Sequence, residues 1–400
     1  MSRPFTNIIR RTPDAPVIRR AMSGAMLLGM LAALPGAMLP IWSVHLALGT
    51  GRTGEGLLAF AAGSTAGLIA ASRLKTGART GKLFATIAGV VASASLATLS
   101  GIYSPNQIFA PLLGLGLSAG VLLATESRAL FEAVVAAPAS RTLACVSFGT
   151  GATLVCFILW ISIDIAELPS AMLLLAAVPL LFSAYVWNAS GERLAAVWNK
   201  GEPIDWKGLV TPTGILFGIS IVLHAAAHGT IAYWIAIYIT RRFGFSIGVG
   251  LIILTLYWLS LTLGSAIASR IPPLETRLRW LVWTVLGCVV SCAFLLETAD
   301  VSGAVVGGVI LGAALGTTQT LTAGWISRRM EWRHPDLFKV LVAGYIIASI
   351  AAASAMSRLV SGFGVHAVVW AILATTLALF VLLAVLVVET KLAAKRPASS

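Results

Sequence analysis

His224 and His228 lie four residues apart within an apolar stretch, so a helix there sets both imidazoles on one face, one turn apart. A histidine takes up a proton near neutral pH, or hydrogen-bonds a polar solute while neutral. The competing expectation is a pair that bonds to Ser or Thr on a neighbouring helix. A His-x3-His pair supplies two metal ligands where a site normally needs three or four, so no metal is expected. The aromatic residues Trp42, Tyr233, Trp234, Tyr257 and Trp258 come next. An aromatic face stacks on a sugar ring or an apolar compound, and an indole N–H or phenol O–H adds a polar contact. Plain packing is the alternative, or a place in the interfacial belt for Trp42 and Tyr238. Gln319, in Gly316-Thr317-Thr318-Gln319-Thr320, both donates and accepts, which suits a hydroxylated solute or an interhelical bond. Glu126, in Thr125-Glu126-Ser127-Arg128, closes the set as a proton carrier or, the favoured reading, one side of a surface pair with Arg128 or Arg141.

The elements that must hold these residues are apolar. The 400 residues are 58% hydrophobic and 11% charged, against about 45–50% and about 25% in soluble domains. Stretches of about 18–20 apolar residues read as membrane spans. Twelve are found, at 21–48, 54–72, 83–103, 107–125, 142–163, 169–187, 212–240, 245–269, 278–297, 301–326, 338–359 and 363–388. Only helices or closed barrels satisfy their backbone in lipid, and these runs are too long and too little alternating for barrel strands. The expected class is an all-α membrane protein. Cys145, Cys156, Cys288 and Cys292 fall inside apolar runs, where a cysteine packs as a small hydrophobe.

Charge sets the orientation. With the N-terminus inside, 24 of the 28 Lys and Arg fall on the inner side and only Arg52, Arg241, Arg242 and Arg358 on the outer. Both termini are therefore expected in the cytoplasm, and the net charge of +13 is topology rather than a nucleic-acid footprint. The basic start precedes an apolar run too long for a signal-peptide core, so the first helix is expected to be uncleaved. The longest inner connection divides the chain. It gives a cytoplasmic tail at 1–20, a six-helix bundle at 21–187, a linker at 188–211, a second bundle at 212–388 and a tail at 389–400.

The halves echo each other. Gly67 and Arg73 at the end of span 2 recur as Gly264 and Arg270 at the end of span 8, each 197 residues on. Gly116 and Gly120 recur as Gly312 and Gly316, 196 residues on. Trp42 and Trp234 each precede a glycine, Gly56 and Gly248, by fourteen residues. Ordered matches at near-constant offsets point to duplication. Two six-helix halves in parallel repeat are the architecture of many secondary transporters, whose substrate binds near the midplane between them.

These features make the chain resemble a major facilitator superfamily transporter over nearly its full length. Between spans 2 and 3 that superfamily carries a Gly, an acid and a basic cluster. Here Gly67 is followed by Ala71 in place of the acid, then Arg73, Gly77, Arg79 and Lys82; the second half offers Gly264, Arg270 and Arg277. The resemblance implies a gating loop there without its charge latch, and places Trp42, His224, His228 and Gln319 on path-lining spans 1, 7 and 10. A narrower likeness joins His228 to Tyr238, Phe243 to Ser246, Tyr257-Trp258 and Gly36 to Pro40 with the fucose-permease-like sugar branch. That branch would have Glu where His228 stands, so its sugar specificity and proton coupling do not simply carry over.

The expected function is secondary active transport by alternating access, in the form of proton-coupled uptake of a sugar-like or polyol solute. Efflux of amphipathic compounds or drugs is the alternative. The proton candidates are His224, His228 and Glu126, since no span has an acid near its centre. No cofactor is expected, and the partners are a small solute, protons and the bilayer, with the protein a monomer in a bacterial inner membrane. An enzyme is not expected: the chain has five His, scattered but for one pair, and neither a Gly-x-Ser-x-Gly elbow nor a phosphate loop. A non-transporting sensor of the same architecture stays open, and measured flux would decide it.

Overall fold

The computed structural model describes residues 15–73, 78–136, 138–165, 168–188, 212–271, 274–329 and 335–395; the 188–211 linker lies outside these beyond Asn188. Twelve long helices account for nearly all of it. They are α1 (Ala15–His45), α2 (Thr50–Arg73), α3 (Ala78–Leu99), α4 (Phe109–Ala136), α5 (Pro138–Ile165) and α6 (Leu168–Asn188). The second set is α7 (Pro212–Phe243), α8 (Ile247–Ala268), α9 (Leu274–Glu297), α10 (Val301–Arg329), α11 (Pro335–Phe363) and α12 (Ala367–Lys395). Each contains a stretch long and apolar enough to cross a membrane. No strand occurs among the described residues.

Helix α4 departs most from its sequence-based bounds, running to Ala136 where an end at 125 is expected; the departure that matters for the buried charges is that of α1. It begins at Ala15, six residues into the stretch read as tail, and runs through Pro35 and Pro40 without ending. A proline is tolerated in a membrane helix because neighbouring helices re-satisfy the freed backbone groups. Odd-numbered helices begin at the end of the bundle that carries Arg73 and Arg270, both exposed; it is called the basic end below. Arg79 and Arg277 sit on α3 and α9 at that end, with side chains outside the described residues.

Packing within each half repeats residue by residue. On α4, Gly116 lies on the Phe60 carbonyl, Gly120 on the Ser64 carbonyl, and α2's Gly67 on the Leu117 carbonyl. On α10, Gly312 lies on the Tyr257 carbonyl, Gly316 on the Leu261 carbonyl, and α8's Gly264 on the Ala313 carbonyl. A Cβ at any of the six would overlap backbone, so the helices approach as closely as small residues allow. The offsets are the 197 and 196 read from the sequence, now carried by contacts.

The turns obey the same offset and correct one match. Ala47, after α1, has φ +47°, and Gly244, after α7, has φ +69°. They are 197 residues apart, so Trp42 aligns with Ile239 and not with Trp234. Alanine held left-handed costs about 1–2 kcal/mol relative to its relaxed backbone. Ala47→Gly is accordingly expected to raise the melting temperature by a few degrees, read by thermal unfolding in detergent; an unchanged or lower value would show the turn to be unstrained.

Candidate functional site

A cluster of buried polar and aromatic side chains is built in the second half by α7, α8, α10 and α11. His224 and His228 are 4% and 7% exposed, on the predicted shared face of α7. Nε2 of His224 donates to the Leu315 carbonyl of α10 at 3.0 Å, and the Tyr345 hydroxyl of α11 donates to its Nδ1 at 3.2 Å. A neutral His224 therefore has both ring nitrogens engaged, which is a position for ordering helices.

His228 differs. Its Nδ1 shares a 2.7 Å hydrogen bond with the Tyr257 hydroxyl of α8, and its Nε2 has no partner among the described residues. Three aromatic rings close around it. Tyr257 stacks at 6.1 Å and 26°, Tyr345 lies at 5.8 Å and 31°, and Trp258 meets it edge-on at 5.1 Å and 83°. Trp258 is 1% exposed, and its indole N–H reaches no acceptor among the described residues. Phe148 of α5, from the other half, reaches Trp258 at 6.3 Å between ring centres. Gln319 is half-buried one turn beyond Leu315, the residue whose carbonyl holds His224, and its amide makes no hydrogen bond among the described residues. The result around His228 is an aromatic box with an unmet imidazole nitrogen and an unmet indole N–H, while Gln319 lies on the other side of His224, toward the basic end.

Other residues singled out from the sequence sit elsewhere. The Trp234 indole donates to the Ala353 carbonyl of α11 at 2.8 Å, and the Tyr233 hydroxyl to the Ala32 carbonyl of α1 at 3.0 Å. Both tie helices together. Trp42 is buried near the end of α1, where its carbonyl accepts from Leu46 and Leu48. Tyr238 is buried too, donating to the Leu295 carbonyl at 2.9 Å.

Glu126 is not a surface residue. It is fully buried and takes two hydrogen bonds from Arg20 of α1, at 2.6 and 2.8 Å. The pair lies near the basic end, away from the histidines, and Gly24 leaves the room for Glu126 that a side chain would fill. The favoured expectation of a surface pair with Arg128 or Arg141 fails because α1 starts early enough to bring Arg20 into the bundle. Tyr345 was missed as well. A single tyrosine in a run of small and β-branched residues carries no motif, and only its place beside α7 gives it a role.

The halves meet along two seams and at α1–α7. Gly36 of α1 lies against the Ala232 carbonyl of α7, and Gly54 of α2 against Ser357 of α11, both toward the end opposite the basic one. On the second seam, Thr142 of α5 is hydrogen-bonded to Ser269 of α8 at 2.5 Å, and Gly149 faces Thr262. A small apolar crevice between α2, α4 and α11 is lined by Ser64, Leu68, Leu123, Ala343 and Ile347. The histidine cluster is thus closed toward the far end and enclosed by the seams.

This arrangement of helices recurs in solved structures. The human organic anion transporter MFSD10 superposes over 93% of this chain and 100% of its own, with a TM-score of 0.63 and 16% identity. The nucleoside transporter NupG superposes over 92% of this chain and 99% of its own, with a TM-score of 0.64 and 12% identity. The chain has the major facilitator fold. No protein-family model matches the sequence, and no curated protein matches it either.

Proposed function

We propose that the chain is a secondary active transporter that carries a small, uncharged, hydroxyl-bearing solute by alternating access between its two halves. The observation that supports this best is the buried box around His228, in which an imidazole nitrogen and an indole N–H wait unmet beside aromatic faces. A sugar-like or polyol solute suits that mixture, since rings stack while hydroxyls take the polar groups. Among the described residues no Lys, Arg, Asp or Glu accompanies the histidines in that box, which favours neutral cargo over a charged one. A nucleoside, the cargo named for NupG, joins a sugar to a flat base and belongs in the same search.

The coupling ion in this reading is a proton carried by His228, whose Nε2 is open where both nitrogens of His224 are engaged. The basic end faces the cytoplasm, consistent with the Lys and Arg distribution, and the protein works as a monomer in a bacterial inner membrane.

The test begins with thermal unfolding of purified protein against hexoses, hexitols, nucleosides, organic anions and amphipathic drugs, at about pH 5.5 and about pH 7.5. A solute at 100 times its Kd adds about 2.7 kcal/mol of stability. Hits among hydroxylated neutral solutes support the proposal, whereas hits confined to amphipathic compounds would replace it with efflux. With a hit in hand, His228→Ala in proteoliposomes is expected to abolish pH-driven accumulation yet keep solute exchange. Full accumulation by that variant would remove His228 as the proton carrier, and binding without any flux would make the protein a sensor.

A further inference from the structure

The antiparallel seam of α5 and α8 has a fixed register. Thr142 stands by Ser269, and seven residues further along α5, Gly149 stands by Thr262, seven residues back along α8. Four more residues in the same register bring Thr153 level with Trp258. Oγ1 of Thr153 and Nε1 of Trp258 are both buried polar atoms with no hydrogen-bond partner among the described residues, a property that Thr322 Oγ1 on α10 shares away from this seam.

For a helical threonine this is a departure. Thr65, Thr86, Thr240, Thr255 and Thr262 each donate to the carbonyl four residues back, at 2.7 to 2.9 Å. Thr153 makes no such bond to Gly149. Register sets the hydroxyl and the indole at one level of the seam, one from each half, and Trp258 is itself a wall of the His228 box. Unmet buried polar groups are rare enough in folded proteins that each calls for a missing partner.

We infer that Thr153 and Trp258 form a two-sided clip for one hydroxyl of the transported solute, an inference that rests on the transport reading above. The indole can only donate, so the group between them must accept; the threonine both donates and accepts. A solute hydroxyl meets both at once, taking the indole proton on its oxygen and giving its own to Oγ1 of Thr153. A methyl or methylene meets neither. Because one jaw belongs to each half, a solute lacking that hydroxyl fails to join the halves across this seam.

The experiment uses the full chain in detergent and, as probe, whichever hexose, hexitol or nucleoside stabilises the wild type most, together with its monodeoxy analogues. Thr153→Val is expected to bind the parent probe roughly ten-fold more weakly, the scale of one lost hydrogen bond. One monodeoxy analogue should bind wild type and Thr153→Val equally, Thr153→Ser should restore the parent affinity, and without probe Thr153→Val should melt no lower than wild type. Wild-type affinity for the parent in Thr153→Val would overturn the clip while leaving the transport reading intact. A lower melting temperature without probe would also overturn it, by showing that the hydroxyl serves the resting structure. If no hydroxylated probe stabilises the wild type, the proposed solute class fails, and the clip with it.

Discussion

Glu126→Gln is expected to lower the stability of the solubilised protein by about 3–5 kcal/mol, because it strips the countercharge from a buried guanidinium while changing the side chain's size very little. Arg20 is 2% exposed and Glu126 is fully buried, so neither charge has water to fall back on. The two hydrogen bonds of 2.6 and 2.8 Å are bidentate, the geometry in which Arg and carboxylate match best. Removing both charges has a different consequence. Arg20→Met with Glu126→Met leaves apolar groups of similar length, and such replacements are often neutral or stabilising. Thermal unfolding and size-exclusion profiles of the single and double variants give the readout. Equal melting temperatures for wild type and Glu126→Gln would mean that the pair is open to water. The double variant also decides a functional matter. A folded double variant that still accumulates solute along a proton gradient would strike Glu126 from the proton candidates and leave it as a strut between α1 and α4.

What the sequence shows and what it hides divides along physical lines. The spans were legible because lipid demands uninterrupted apolar runs, and the repeat because helices that touch at backbone distance need glycine at fixed places. Gly116, Gly120, Gly312 and Gly316 could be matched before any contact was known, and the contacts then fell on the same offsets. His224 and His228 were legible as a pair because helical spacing alone sets them on one face. Their different roles were not. That distinction depends on Tyr345 and on the Leu315 carbonyl, which reach α7 only when α10 and α11 are folded beside it. The burial of Glu126 is hidden for the same reason, since its partner Arg20 lies 106 residues earlier, in the stretch that reads from sequence as a tail. Trp234 and Tyr233 show the converse: aromatic character suggested a solute contact, yet their polar atoms are spent on carbonyls of α11 and α1.

Gly36→Val is expected to bias the protein toward opening at the far end and to reduce transport severely. Gly36 is where α1 of one half touches α7 of the other, and a Cβ there would overlap the Ala232 carbonyl, which as backbone cannot swing aside. Overpacking of this kind costs about 1–3 kcal/mol. Here the cost falls only on the conformation in which the two helices touch, so the balance between closed and open states shifts by about 5- to 150-fold. Gly116→Val makes the contrast, because its overlap with the Phe60 carbonyl lies within one half and persists in both conformations. It should lower the melting temperature without moving the balance. A cysteine placed at Ser357, which the far-end seam covers through Gly54, reports the difference through its rate of labelling by a membrane-impermeant maleimide. The native cysteines interfere little, since Cys156, Cys288 and Cys292 are buried and Cys145 is only partly open. Faster labelling with Gly36→Val and unchanged labelling with Gly116→Val would show that the α1–α7 contact is one the halves must break. Unchanged labelling in Gly36→Val together with normal solute flux would mean that this contact never parts, and that the halves move about the α5–α8 and α2–α11 seams alone.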